Sequence, residues 1–173
     1  MGNALVTLIL VTVVMVSALG LVSGSVSALD MLAGSSKTMQ DQFSERGRTS
    51  IICTSVDPSD DSVMVRVLNN GSVPLYQFDA WDVIVQYRDA SGVQHGTWLP
   101  YRSVSAGAND WSVEAIYFEG SAEAVEPGAL NPGEDVAIRF QLDPAIGPET
   151  TNLVTVATNT GVCAELVFQG EEV

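Results

Sequence analysis

The chain has 173 residues, of which 46% are hydrophobic and 16% charged, and its formal net charge at pH 7 is -14. A pI near 4.1 argues against nucleic-acid binding, because phosphate recognition needs clustered Lys and Arg side chains. The single histidine excludes most multi-histidine metal sites. A positive mean hydropathy of +0.23 in so acidic a chain indicates that apolar and acidic residues lie in different segments.

The first segment, residues 1–29, has no charged side chain, and Asp30 is the first charged residue. This length exceeds the roughly 20 residues that a helix needs to cross a bilayer. A secretory signal peptide ending near residues 25–28 is the alternative, but such a peptide begins with basic residues, and the first basic residue here is Lys37.

Apolar residues continue at helical spacing beyond this segment, as far as Phe43. The pattern predicts one continuous helix from about Asn3 to about Glu45, with Gly47 as the stop signal. Because the early helix is apolar on every side, it needs apolar surroundings, which either lipid or copies of the same helix can supply.

Small residues near the middle of the predicted helix include the motif Gly20-x-x-x-Gly24. Such residues let helix backbones approach closely, although a single-pass anchor whose small residues have no packing role is the alternative. The positions expected to pack against neighbouring helices are Leu5, Ile9, Val13, Val16, Gly20, Gly24 and Ala28.

After Gly47 the pattern changes to alternating β-rich segments separated by turns that contain Gly, Pro or Asn. The predicted fold class is therefore α+β, with a long N-terminal hydrophobic α-helix in residues 1–47 and an all-β, immunoglobulin-like sandwich in residues 48–173. The predicted strands are 49–56, 62–68, 79–87, 96–102, 111–118, 135–142, 153–158 and 162–168.

The two cysteines, Cys53 and Cys163, lie in the first and last predicted strands. In an oxidising exterior they are most simply read as one disulfide that joins the ends of the domain. Two buried free thiols are the alternative.

Candidate chemistry is sparse in the acidic segment. Asp57, Asp60 and Asp61 form a carboxylate cluster that suits a hard cation such as Ca²⁺, although it lacks the EF-hand spacing and a solvated turn is the alternative. Asn70 begins an Asn-Gly-Ser glycosylation triplet on a predicted turn. His95 has no Gly-x-Ser-x-Gly partner, so we expect no catalysis and no cofactor.

The first residues, 1–11, read MGNALVTLILV, and residues 130–136 read LNPGEDV. Both are similar to segments of archaellins, the filament subunits of the archaellum, within the type IV pilin superfamily. Leu5 stands where bacterial-type pilins usually carry Glu, and this difference favours the archaellin branch of the resemblance.

The resemblance implies a structural subunit that is held in the cytoplasmic membrane as a precursor. Assembly machinery would extract the helix and stack it with its copies into a homopolymer, an extracellular filament with the β-domains outside. The alternatives are a membrane-anchored archaellum stator or accessory protein, which residues 159–162 resemble slightly, and an adhesive pilin or solute-binding domain on an anchor.

Overall fold

A computed structural model describes residues 2–59, 62–123, 126 and 128–171, without the side chains at 4–6, 18–30 and 59. These residues form two compact units, 1–43 and 44–173.

The first element is the helix α1, Gly2–Arg48. Its last third is polar and charged, and it ends with basic residues in the last turn, Arg46 and Arg48, where positive charge complements the helix dipole. The hydroxyl of Thr49 donates a hydrogen bond to the carbonyl of Glu45 just beyond this end.

The second unit consists of two antiparallel sheets. The five-stranded sheet has the order β1-β2-β7-β5-β6, and the four-stranded sheet has the order β4-β3-β8-β9. The strands are β1 Ile51–Ser59, β2 Ser62–Asn69, β3 Asp82–Arg88, β4 Gln94–Leu99, β5 Trp111–Phe118, β6 Ser121–Ala122, β7 Asp135–Phe140, β8 Thr151–Ala157 and β9 Cys163–Gln169.

The inner faces of the two sheets share one hydrophobic core, as expected for a sandwich. Alternation along the strands produces this core, since every second residue points inward, for example Val65 and Val67 on β2 and Val83 and Val85 on β3. Trp81 and Trp111 are the largest fully buried side chains.

The expected fold class, α+β with a long hydrophobic helix before the sandwich, is wrong. The second unit is built from antiparallel β-strands, and its 3-10 turn Phe78–Ala80 is the one helical element that we find after α1 in the described residues. Among those residues, we find no helix that is both long and apolar enough to cross a membrane. The helix α1 continues to Arg48 through charged positions such as Asp41 and Glu45, so it is not hydrophobic along its whole length.

Candidate assembly site

The early part of α1 presents apolar side chains to its surroundings. Ile9, Val13 and Val16, which the sequence placed at helix contacts, are each more than half exposed. The hydroxyls of Thr7 and Thr12 donate to the carbonyls of Asn3 and Leu8 at 2.8 Å, so these polar groups are satisfied within the helix. The surface of residues 7–17 is therefore suited to an apolar partner. The side chains of Leu5, Gly20, Gly24 and Ala28 lie outside the described part.

The acidic turn expected to suit a cation is described only in part. Asp57 is exposed on β1, where it pairs with Met64 of β2, whereas Asp60 and Asp61 lie outside the described residues. Among the residues that the structure covers, no group of three or more His, Cys, Asp or Glu side chains has a geometry that could hold a metal ion.

The predicted disulfide is absent, since Cys53 and Cys163 are both free thiols. Cys53 is buried on the inner side of β1, and burial raises the pKa of its thiol to about 11. Cys163 is exposed at the start of β9, where the outward alternation of the strand places it. The thiol of Cys53 points into the core, and the thiol of Cys163 points away from it. The two cysteines therefore form no disulfide, although they lie in the first and last strands.

Asn70 is exposed on the turn after β2. Its backbone N–H donates to the carbonyl of Ser50 at 2.9 Å, so the turn is fixed while the side chain is left outside. The neighbouring Asn69 is fully buried and donates to the carbonyls of Val73 and Leu130. Glycosylation of Asn70 stays a prediction.

His95 belongs to a polar cluster that the sequence did not reveal. The carboxylate of Asp89, at the end of β3, accepts hydrogen bonds from the hydroxyl and N–H of Ser91, from the N–H of Val93 and from His95 Nε2 at 2.8 Å. The bonds from Ser91, followed by that from His95, hold the pKa of Asp89 well below its ordinary value. The imidazole also stacks on Tyr87, with ring centroids 5.0 Å apart.

This cluster closes the β3–β4 hairpin. Asp89 is only 8% exposed, and its hydrogen bonds all come from within residues 91–95. The signal in the sequence was the run Asp89-Ala90-Ser91-Gly92, since an Asp side chain that accepts N–H groups two residues later is a recurrent turn device.

The outer face of the four-stranded sheet is the second exposed apolar surface. Trp98 on β4 is 56% exposed, Val167 on β9 is 61% exposed, and Ile84 on β3 lies directly opposite Trp98. The indole N–H of Trp98 donates to the carboxylate of Asp82 at 2.8 Å, which fixes the ring. A shallow groove of about 150 Å³ crosses the same face beside Gln86, Gln94, Leu153 and Val167.

Neither a protein-family model nor a curated protein matches the sequence. The fold, however, is similar to those of solved archaellum proteins. The periplasmic stator protein FlaG from Sulfolobus acidocaldarius has a TM-score of 0.51 and 17% identity, and the match covers 69% of this chain and 99% of FlaG. In the complex of FlaF and FlaG from the same organism, the match has a TM-score of 0.50 and 17% identity and covers 68% of this chain and 87% of that one.

The archaeal flagellin FlaB1 from Methanocaldococcus jannaschii is similar to the same degree. Its TM-score is 0.51 and its identity 15%, and the match covers 72% of this chain and 91% of FlaB1. The chain therefore has a fold that is similar both to that of an archaellum periplasmic stator protein and to that of an archaeal flagellin.

Proposed function

We propose that this chain is a structural, non-catalytic subunit of an archaellum-type assembly, and specifically a subunit of its motility filament. The observation that carries the proposal is the combination of an exposed apolar stretch, residues 7–17 of α1, with a β-sandwich whose fold is similar to those of FlaG and FlaB1. The first supplies a surface for assembly, and the second supplies a domain for the outside of the assembly.

The helix would assemble by exchanging one apolar environment for another. Leu8, Ile9, Val13 and Val16 are exposed in the single chain, and such a surface is stable only against lipid or other apolar side chains. Burial of apolar area contributes about 25 cal/mol per Å². Many identical helices brought together by the cell's assembly machinery would thus form a filament core, and the same stretch would rest in the cytoplasmic membrane before assembly.

The β-domain has properties that suit the exterior. Residues 2–48 carry three acidic and three basic side chains, so the net charge of -14 lies on residues 49–173. A strongly acidic surface keeps neighbouring molecules soluble and disfavours nonspecific association. We therefore place this domain outside the cell, without a cofactor and without contact with nucleic acid.

A stator or accessory protein of the archaellum is the second candidate. The observation in its favour is that the match covers 99% of the FlaG chain, so the whole of that stator structure has a counterpart here. In this role the apolar stretch would stay in the membrane, and the β-domain would act outside the membrane as a stationary stator component.

A helix variant separates these possibilities. Val13→Glu places a charge in the exposed apolar stretch, whereas Thr38→Glu adds the same charge to the exposed polar part of α1 and serves as the matched control. We expect wild type and Thr38→Glu to be abundant in sheared filaments, and Val13→Glu to be at least tenfold depleted there, because a buried unpaired carboxylate is strongly disfavoured.

The readout is quantitative mass spectrometry of sheared filaments and of membranes from cells that express each variant in place of the wild type. Entry of Val13→Glu into filaments at wild-type yield would contradict assembly through this stretch. Wild-type chain that stays with membranes and is missing from filaments would exclude the filament role and favour the stator role.

A further inference from the structure

The outer face of the four-stranded sheet is distinguished by its charge. Its outward positions on β3, β4, β8 and β9 include three charged residues, Asp82, Arg88 and Glu165, so the face has a net charge of -1 on a domain that carries -14. Because acidic domains repel each other, two copies approach at the lowest electrostatic cost through a face of this kind. On the two central strands, β3 and β8, the exposed or half-exposed side chains between Asp82 and Arg88 are apolar or uncharged, whereas Glu165 lies on the edge strand β9.

The charges on this face are arranged with a polarity. Arg88 lies three residues after Val85 on β3, and Asp82 lies three residues before it. Both side chains are exposed on the outer face, and the residues between them that share the face, Ile84 and Gln86, carry no charge. The face therefore has a positive end and a negative end along one strand.

We propose that this face forms a twofold contact between two copies of this chain. The twofold axis would lie in the plane of contact, at right angles to the strands, and would pass over Val85 of β3. Each strand would then face the same strand of the other copy, running in the opposite direction. This arrangement brings Arg88 of each copy over Asp82 of the other. A parallel arrangement of the two faces would instead place like charges together, which is unfavourable.

The shape of the face agrees with the same axis. Trp98 pairs with Ile84, one residue before Val85, and Gly96 pairs with Gln86, one residue after it. The twofold operation therefore places Trp98 of one copy over Gly96 of the other. A Cβ atom added to Gly96 would meet no atom within 4 Å, so the position is an open recess beside the large ring on the same strand.

The contact is expected to be weak in isolation. The face is formed by four strands that lie about 4.8 Å apart and are about 20 Å long. Its area is small compared with the about 800 Å² that each partner buries in a typical stable complex. The inference itself depends on the sheet surface alone and not on the proposed archaellum role.

Filling the recess tests the contact. Gly96→Leu adds a side chain into open space, so the single chain should fold normally while the ring of the second copy is displaced. Gly128→Leu is the matched control, because its Cβ also meets nothing within 4 Å and the residue lies outside the face. Association of the full chain in detergent micelles is measured by sedimentation velocity over a concentration series.

We expect Gly96→Leu to weaken association at least tenfold and Gly128→Leu to leave it unchanged. The proposal would be overturned if both variants associated as strongly as the wild type. It would also be overturned if both variants lost association to the same extent. Arg88→Glu should also weaken association, because it places a second carboxylate over Asp82 of the other copy. Unchanged association of this variant would overturn the twofold register. The sedimentation results do not depend on the filament experiment in cells. The chain could therefore be missing from filaments and still associate through this face.

Discussion

Asp89 shows how one carboxylate organises a hairpin in this domain. It collects four hydrogen bonds from Ser91, Val93 and His95, and charged acceptors make stronger bonds than neutral ones. The turn between β3 and β4 is thus held by one charged side chain.

Asp89→Asn should lower the melting temperature of the folded chain, because the amide NH₂ group would face N–H and O–H donors. The pKa of Asp89 is lower in the folded than in the unfolded chain, so its contribution is complete above about pH 4 and is lost as the pH falls through the folded-state value. The difference in melting temperature between wild type and variant should therefore be largest near neutral pH and should shrink in acid. Asp57→Asn, at an exposed carboxylate, is the control. An equal effect of both variants at pH 7 would contradict a special role for Asp89.

The two thiols should differ sharply in reactivity. The thiolate is the reactive form, and Cys53 is buried with a pKa raised to about 11, whereas Cys163 is exposed. We expect iodoacetamide to label one cysteine per native chain at pH 8, and Cys163→Ser to remove that label. Unfolding should expose the second thiol. Two protected cysteines that become reactive only after reduction would show a disulfide and contradict the structure.

At the scale of elements, a loop after β7 is fixed by close backbone contacts. The N–H of Gly147 donates to the carbonyl of Arg88 at 2.8 Å, and the N–H of Gly170 donates to that of Thr150 at 3.0 Å. A Cβ atom added to Gly147 would lie 2.5 Å from the carbonyl oxygen of Asp89. The loop can reach the end of β3 only because this residue has no side chain.

Gly147→Ala should therefore lower the free energy of unfolding by about 1–3 kcal/mol, as overpacking commonly does. Gly128→Ala is the matched control in open space and should cost nothing or stabilise slightly, because alanine loses less backbone entropy on folding. Urea unfolding of the full chain in detergent measures both changes. If the two variants were equally stable, the close approach at Gly147 would not constrain the fold.

Periodicity predicted the strands well where one face is buried and the other is exposed. Eight predicted strands overlap β1 to β5 and β7 to β9, and the sandwich arrangement follows from them. The two-residue strand β6 is too short for any periodic signal. Residues 79 and 80 were predicted to be strand but belong to the 3-10 turn Phe78–Ala80. Gln77, just before this turn, adopts a left-handed conformation with φ 56° that no local residue pattern indicated.

The candidate surfaces were less predictable than the strands. The apolar stretch of α1 is visible in composition alone, since a segment without charge must be covered by something apolar. The Asp89 cluster is local, and its turn signal stands in the sequence as the run Asp89-Ala90-Ser91-Gly92. The face around Trp98 and Gly96 depends instead on strand register, which joins residues from separate strands. Register follows from the whole packed sandwich and not from any one segment, so the sequence could not show this face.

At the scale of the whole molecule, apolar and charged surfaces are divided along the chain. Residues 2–29 are uncharged, residues 30–48 are balanced, and the net charge of -14 lies on the β-domain. Repulsion between neighbouring domains is screened over about 10 Å at 0.1 M salt. In the proposed filament, the apolar segment would bring the copies close, and salt would limit the repulsion between their β-domains.

The most direct test of the filament role is a cryo-electron microscopy map of sheared filaments from cells that make this protein, at a resolution that shows side chains. We predict an outer layer built from the two-sheet domain, with Trp81 and Trp111 in its core, and an inner layer in which the residues 7–17 of neighbouring copies contact each other. A map whose outer domains fit a different protein, with this chain missing from the density, would contradict the account.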